Sequence, residues 1–292
     1  MFWTLQNQSF SIRVARKGAE LQSLYSRTLN REYLWQPGAE TWNQHSLLLF
    51  PNAGRISRDR VFIRGREYPM TMHGFAKDSD FTPVFLSEDR LTLCLTDTPE
   101  SLSRFPCPFS LTVDYRLEED RVVEELLVKN PGTVPLSFGL GLHPGFYCPI
   151  DLEEGADDYL LRFDTPQNLF QVVLDPITRL CTHERRLVLS GETDIPLFEG
   201  FFDKGPFPLE NCKIAKITLL SKKSGRFLEM GAEGFPVFTF WGNPGQISLI
   251  CIEPWCGRSD DIDSDHIWEH KPGNVCLSPG ETWSRQVWYR LG

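Results

Sequence analysis

Hydrophobic and polar residues alternate along much of this chain, and a period of two predicts β-strands that bury one face. The clearest case is residues 109–117, which are followed by an acidic turn and a second apolar segment at 122–128. These two segments are expected to pair as antiparallel neighbours. The other predicted strands are residues 10–14, 21–24, 47–50, 61–63, 66–68, 91–95, 214–220, 227–230, 237–241, 247–252 and 283–290.

Helical periodicity is poor, and only residues 99–104 are predicted to form a short helix. Thr98 can cap its N-terminus, Pro99 fits the first helical position, and Glu100 places an acid in the first turn. Many strands at short spacing, separated by glycine and proline, predict an all-β fold: a large antiparallel β-sandwich with few short helices. Because no interval resembles a linker, residues 1–292 are expected to form a single domain.

The net charge of −9 argues against nucleic acid or an anionic membrane as a partner. The eight cysteines are isolated, without a Cys-x-x-Cys pair, which predicts free buried thiols in a reducing compartment. The first residues lack the basic segment and apolar core of a signal peptide, and no apolar run is long enough to span a bilayer. We therefore expect a cytoplasmic protein whose easiest partner is a neutral small molecule.

Two titratable residues stand next to prolines in otherwise apolar segments. His143 precedes Pro144 in a glycine-rich run, and a histidine held there can transfer protons near neutral pH. Glu253 follows the apolar strand 247–252, and Pro254 is expected to end that strand. Burial would raise the pKa of this carboxyl toward a range useful to a general base. The alternatives are a histidine that bonds a carbonyl at a strand end and a glutamate in a structural ion pair.

Two further residues have similar surroundings. His73 lies between Met72 and Gly74, and Arg55 follows a glycine, where its guanidinium can donate hydrogen bonds to sugar hydroxyls. A surface ion pair is the alternative for Arg55. His266 and His270 have the i, i+4 spacing of metal ligands, but Pro272 follows at once. We therefore expect no metal site and no cofactor.

Several segments, taken in order, resemble the aldose 1-epimerase (galactose mutarotase) family. They are residues 50–55 (Phe-Pro-Asn-Ala-Gly-Arg), 73–78 (His-Gly-Phe-Ala-Lys-Asp), 142–146 (Leu-His-Pro-Gly-Phe), 251–257 (Cys-Ile-Glu-Pro-Trp-Cys-Gly) and 279–281 (Pro-Gly-Glu). Lys77 stands where an arginine is commoner in the family. The compact bacterial branch, whose sugar specificity is poorly defined, is the most similar.

The resemblance implies a twisted β-sandwich of large sheets and an active site that contains no metal. It assigns the general base to Glu253 and the general acid to His143. His73 and Arg55 would hold the sugar. Independently of the resemblance, Trp255 beside Pro254 can offer an aromatic wall. No clear match exists for the family's sugar-binding aspartate, and Asp203 is the candidate.

The expected substrate is a small-molecule aldose, and we favour a free hexose such as galactose or glucose. A hexose 6-phosphate remains the alternative because arginines suit phosphate and five of them lie close together in sequence. These arginines are Arg55, Arg58, Arg60, Arg64 and Arg66. A carbohydrate-binding or regulatory protein without turnover is the other alternative. The protein is expected to be a monomer or a homodimer.

Overall fold

The structure, a computed structural model, describes residues 1–38 and 42–292. Within those residues the chain is built almost entirely of β-strands. In chain order the strands are β1 Phe2–Gln6, β2 Phe10–Ala15, β3 Leu21–Ser26, β4 Arg31–Glu32, β5 Ser46–Leu49, β6 Arg60–Ile63, β7 Arg66–Pro69, β8 Thr82–Leu86, β9 Arg90–Thr96, β10 Ser110–Leu117, β11 Val122–Lys129, β12 Leu136–Phe138, β13 Leu140–Tyr147, β14 Tyr159–Leu174, β15 Cys181–Pro196, β16 Phe207–Glu210, β17 Lys216–Ser221, β18 Phe227–Gly231, β19 Val237–Gly242, β20 Leu249–Cys256, β21 Val275–Leu277 and β22 Thr282–Leu291.

The helical segments are short. The helix α1, Pro99–Arg104, is capped as predicted, because Thr98 Oγ1 accepts a hydrogen bond from the backbone N–H of Ser101. Single turns of 3₁₀-helix lie at Ser57–Asp59, Ala76–Asp78, Ala156–Asp158 and Trp268–His270. No helix among the described residues is long and apolar enough to cross a membrane.

One large antiparallel sheet dominates the fold. Its strands follow the order β5-β13-β20-β19-β16-β14-β17-β18-β22-β11-β10-β9-β8, and β15 pairs with β14. A smaller sheet has the order β1-β2-β3-β4, and the two-stranded ladders β12-β21 and β6-β7 complete the pairing. The predicted all-β antiparallel architecture with few short helices is confirmed.

The core follows the alternation that the sequence predicts. In β10, Leu111, Val113 and Tyr115 are buried, and β10 pairs with β11 along its full length. One hydrophobic cluster extends from Leu5 near the N-terminus to Tyr289 near the C-terminus. All eight cysteines are free, as predicted, and six of them are buried. Cys94 is half-buried and Cys276 is exposed, contrary to the expectation that every thiol is buried.

Two features differ from the sequence-based predictions. The strands that were not predicted are β1, β4, β8, β12, β13, β14, β15, β16 and β21. In the 16-residue pair β14 and β15, register shifts disturb the alternation on which the prediction depends. The proline at 254 was expected to end a strand, but β20 continues to Cys256. A proline keeps an extended backbone, so it can continue a strand where its missing N–H is not needed. His143 and Glu253 therefore lie within strands and not at their ends.

Candidate active site

A cleft of about 250 Å³ lies on one face of the large sheet, over strands β13, β20, β19, β16 and β14. The pairing register explains which side chains form its floor. Glu253 pairs with Thr239, and Thr239 pairs with Pro208. His143 lies midway between Gly141, which pairs with Trp255, and Gly145, which pairs with Cys251, so it falls opposite Glu253. Residues that face each other across antiparallel strands share one face of the sheet. The sequence His143–Glu253–Thr239–Pro208 therefore forms one row, which we call the catalytic row.

His143 and Glu253 are brought into direct contact at one end of the catalytic row. Nε2 of His143 lies 3.2 Å from Oε2 of Glu253. This is a close contact without a well-aligned hydrogen bond, since neither carboxyl oxygen of Glu253 has a hydrogen-bond partner among the described residues. Nδ1 of His143 is also buried without a partner. The pair thus retains unused hydrogen-bonding capacity that faces the cleft.

Burial shifts the proton affinity of both members of the pair. Glu253 is 1% exposed, and desolvation raises the pKa of its carboxyl well above the ordinary value. Desolvation lowers the pKa of His143 from 6.5 to about 4. Both shifts disfavour charge, so the pair strongly resists becoming doubly protonated and also resists losing its last proton.

His73 approaches the pair from a loop outside the sheet. Its ring centroid lies 5.6 Å from that of His143. The backbone N–H of Gly54 donates to Nδ1 of His73 at 3.2 Å, so a neutral His73 carries its proton on Nε2. Burial lowers the pKa of His73 well below its ordinary value, which keeps the ring neutral. His73 is therefore a fixed neutral ring with one N–H to donate.

Close backbone packing holds the His73 loop in place. Gly74 has a φ of +68°, and a Cβ there would lie 2.3 Å from the carbonyl oxygen of Phe50. That same carbonyl accepts hydrogen bonds from the backbone N–H groups of Phe75 and Ala76. Only glycine permits this approach at position 74. The packing of the Met-His-Gly-Phe segment thus fixes the loop in a position from which His73 lines the cleft.

Three tryptophans form the aromatic walls. Trp42 stacks on His143 with ring centroids 4.9 Å apart, and Trp241 meets Trp42 edge to face. Trp255 packs against His73, and its Nε1–H donates to the carbonyl oxygen of Leu142 at 3.2 Å. Aromatic faces of this kind can pack against the C–H face of a pyranose.

Three arginines are among the residues that line the cleft. Arg55 lines the cleft and forms no ion pair with any described residue. Arg179, from the turn between β14 and β15, also lines it, while one of its nitrogens donates to the carbonyl oxygen of Lys204 at 3.0 Å. Arg258 is neutralised by Asp261 through hydrogen bonds of 2.7 and 3.0 Å.

Most of the arginine cluster seen in the sequence does not reach this cleft. Of its five members only Arg55 is a lining residue. Arg60 pairs with Glu67 at 3.2 Å, and Arg64 donates to the carbonyl oxygen of Pro135 at 3.3 Å. Lys77 pairs with the adjacent Asp78.

Asp203, the candidate for the sugar-binding aspartate, is exposed and is not among the residues that line the cleft. Its Oδ1 accepts a hydrogen bond from the backbone N–H of Gly245 at 2.8 Å. The structure thus brings together His143, Glu253, His73, Arg55 and Trp255, while Asp203 stabilises a turn outside the cleft.

Cys251 adds a soft donor beside the pair. Single ligand atoms of Cys251, His143 and Glu253 all lie within 4.8 Å of one another. A nitrogen, a sulfur and a carboxylate oxygen at this spacing are a donor set that zinc accepts. Burial and the neighbouring Glu253 raise the pKa of the Cys251 thiol well above its ordinary value, so without a metal it stays protonated.

Sequence reasoning missed several lining residues. The local sequence gives no indication that Trp42, Arg179 or the prolines of the floor line a cleft. The sequence could have predicted that Val237, Thr239 and Trp241 share one face, because they are alternate residues of a predicted strand. What was missing was the pairing of that strand with the one that carries Glu253.

The chain is similar to known proteins over nearly its whole length. The model of the aldose 1-epimerase family matches residues 1–290. The plasmid form of protein LacX from Lactococcus lactis subsp. lactis is 28% identical over 285 residues, which cover 95% of both chains.

Two solved structures have the same fold over the full length of this chain. A galactose mutarotase related enzyme from Lactobacillus acidophilus superposes with a TM-score of 0.94 at 27% identity, and the match covers 100% of this chain and 97% of that one. A galactose mutarotase-like protein from Lactobacillus casei ATCC 334 superposes with a TM-score of 0.92 at 29% identity, covering 100% of both chains. The predicted β-sandwich of galactose mutarotase type is thereby confirmed.

Proposed function

The chain belongs to the aldose 1-epimerase family, and we propose that it interconverts the α and β anomers of a free hexose by general acid–base catalysis. The observation that carries this proposal is the buried contact of 3.2 Å between His143 Nε2 and Glu253 Oε2 at the floor of an aromatic cleft. Opening a hemiacetal ring requires one group to take the anomeric hydroxyl proton and another to protonate the ring oxygen. A carboxylate and an imidazolium supply both functions.

In the proposed mechanism Glu253 removes the proton from O1 while His143 delivers a proton to the ring oxygen O5. The C1–O5 bond breaks and an open-chain aldehyde forms, with Glu253 now protonated and His143 neutral. After rotation about the C1–C2 bond, the hydroxyl on C5 attacks the other face of the aldehyde. O5 then returns its proton to His143 and Glu253 returns its proton to O1, so the pair ends as it began. Each positioned acid or base typically contributes about 10²–10⁴-fold in rate.

The proton count of the pair supports this cycle. One proton shared between Glu253 and His143 can rest on either residue, and the two arrangements correspond to the states before and after ring opening. The opposed pKa shifts favour holding one proton over holding two or none. The pair therefore holds the same number of protons at the beginning and at the end of each turnover.

The remaining site residues hold the sugar. His73 is suited to donate from Nε2 to a ring hydroxyl because its Nδ1 is occupied by Gly54. Arg55 has donors that no described carboxylate engages, and Trp255 offers an apolar face. We assign all three to substrate binding. Asp203 stays a sequence-based candidate for the same role.

Polarimetry of freshly dissolved α-glucose and α-galactose, with and without the protein, tests the proposal. We expect the optical rotation to reach equilibrium faster with protein, in proportion to its concentration. An unchanged rate for every aldose, with binding of a sugar retained, would instead identify a carbohydrate-binding protein without turnover.

The same assay tests whether the site works without metal. We expect EDTA to leave the rate unchanged, because the acid–base pair supplies both proton transfers. The cluster of Cys251, His143 and Glu253 makes the opposite result meaningful. Activity that disappears in EDTA and returns with zinc would assign these residues to a metal centre.

A hexose 6-phosphate is the second candidate substrate, and one observation favours it. Arg179 joins Arg55 in lining the cleft, so two guanidiniums are available there to a phosphate dianion. The net charge of −9 opposes electrostatic steering of such a substrate. Comparison of kcat/KM for glucose, galactose and glucose 6-phosphate at low and high ionic strength decides between them. A tenfold preference for the ester that fades with salt would favour the phosphosugar.

A further inference from the structure

Thr239 is the neighbour of Glu253 on the side of the catalytic row away from His143. It pairs directly with Glu253 across β19 and β20, lines the cleft, and is 3% exposed. Its Oγ1 is buried and has no hydrogen-bond partner among the described residues. Valine has the same shape and would fill this position without burying an unpaired hydroxyl. The hydroxyl at Thr239 therefore points to a partner that arrives with the ligand.

The order of side chains along the catalytic row matches the order of atoms in a pyranose. In a sugar ring, C1 carries O1 and is bonded to O5 on one side and to C2 on the other. His143 and Thr239 lie on the two strands that flank Glu253. If Glu253 takes the proton of O1 and His143 reaches O5, then C2 must lie on the opposite side of C1, toward Thr239.

We propose that Thr239 is a specificity-determining residue whose hydroxyl forms a hydrogen bond with the hydroxyl on C2 of the sugar. This inference rests on the proposed acid–base assignment of His143 and Glu253. The hydroxyl of Thr239 can donate or accept a hydrogen bond, whereas the methyl group that replaces it in valine can do neither. The hydrogen bond also needs the hydroxyl on C2, which a 2-deoxy sugar lacks. The site therefore distinguishes a sugar with a C2 hydroxyl from its 2-deoxy analogue.

The test crosses a change in the protein with a change in the substrate. Wild type, Thr239→Val and Thr239→Ser are assayed by polarimetry on glucose and on 2-deoxyglucose, or on galactose and 2-deoxygalactose. We expect Thr239→Val to lower kcat/KM about tenfold for the sugar with the C2 hydroxyl and to change it little for the 2-deoxy sugar. Thr239→Ser keeps the hydroxyl and should retain most of the preference. Each variant is compared with wild type on the same sugar, so intrinsic differences in ring-opening rate cancel.

Ser46 provides a matched control. Its side chain is 2% exposed and its Oγ is also buried without a partner, but it pairs with Pro144, on the other face of β13 from His143. Ser46→Ala should leave the ratio between the two sugars unchanged. A similar change of that ratio in Ser46→Ala and Thr239→Val would contradict a specific role for Thr239.

The possible failures are distinguishable. A wild-type protein that accelerates no aldose contradicts the proposed function. An active wild type in which Thr239→Val loses the same factor on both sugars, or nothing on either, overturns the inference about Thr239 alone. Should the valine variant not fold, as judged by circular dichroism, Thr239→Ala is crossed with the same sugars and read in the same way.

Discussion

Two fully buried glutamates lie in the same large sheet, and they differ in what surrounds the carboxyl group. Glu124 on β11 is 1% exposed, and both of its oxygens have protein partners: Tyr115 Oη at 2.8 Å and Tyr289 Oη at 3.2 Å. Glu253 on β20 is equally buried but has no hydrogen-bond partner among the residues that the structure describes. Burial alone therefore does not distinguish the two carboxyl groups; the lack of a partner at the floor of a cleft is what supports the proposed role of Glu253.

The environment of Glu124 also explains its charge state. Desolvation raises its pKa from 4.5 to about 7. Tyr115 has one hydroxyl proton, and its Oη lies 2.8 Å both from Glu124 and from the carbonyl oxygen of Ala19. A protonated Glu124 can donate to Tyr115, which then donates to Ala19, so every group is satisfied. Glu124 thus has a structural role, and it serves as a reference for Glu253.

The largest effect should come from removing the proposed acid or base. Glu253→Gln and His143→Asn should each lower the anomerisation rate by at least about 10²-fold, because each removes one proton transfer. Glu124→Gln removes a carboxyl of equal burial and should leave kcat/KM close to that of wild type. Near-wild-type turnover in the Glu253 or His143 variant, with the fold intact, would contradict the assignment.

The pH dependence should follow the proton count of the pair. Below the acid limb both Glu253 and His143 are protonated and no base remains; above the alkaline limb neither holds a proton and no acid remains. Since burial lowers the pKa of His143 to about 4 and raises that of Glu253, the bell should be broader than ordinary pKa values would produce. An acid limb of kcat/KM near the ordinary pKa of histidine, about 6.5, in place of one near pH 4 would contradict this description of the pair.

Substitution of Glu124 should change the stability of the protein, whereas substitution of Glu253 should change its turnover. A carboxyl whose folded-state pKa is raised contributes stability that is fully present below its unfolded pKa of 4.5 and is lost as pH rises through about 7. The shift corresponds to about 3 kcal/mol. As pH rises through this range, the free energy of unfolding of Glu124→Gln should therefore increase relative to that of wild type, as measured by urea denaturation. A difference from wild type that does not change with pH would show that Glu124 ionises normally in the folded protein.

The smallest effect is expected at Asp203. Its carboxylate is exposed and bonds the Gly245 N–H outside the cleft, and Asp203→Asn keeps an acceptor oxygen for that bond. Substitution of such a surface residue usually changes stability by less than about 0.5 kcal/mol, and we expect kcat/KM to stay close to wild type. A large rise in KM would instead support the sequence-based assignment of Asp203 to the sugar.

The comparison between Glu124 and Glu253 also separates local from tertiary information. Alternation of apolar and polar residues was enough to predict β10, β11 and β19, because it records which face of a strand is buried. The glycine and proline context was enough to single out His143 and Glu253. Nothing local distinguishes a buried glutamate that has tyrosine partners from one that has none.

Tertiary structure decided the rest because a site on a sheet depends on the register between strands that are distant in sequence. Pairing of β19 with β20 puts Thr239 beside Glu253, and the turn between β14 and β15 brings Arg179 to the cleft. Asp203, the sequence-based candidate for a sugar-binding aspartate, lies outside the cleft and bonds the backbone N–H of Gly245. The sequence by itself determined the strands with regular alternation and the acid–base candidates, but not the irregular strands β14 and β15. Only the folded sheet decided which side chains share a face and which buried groups remain unpaired.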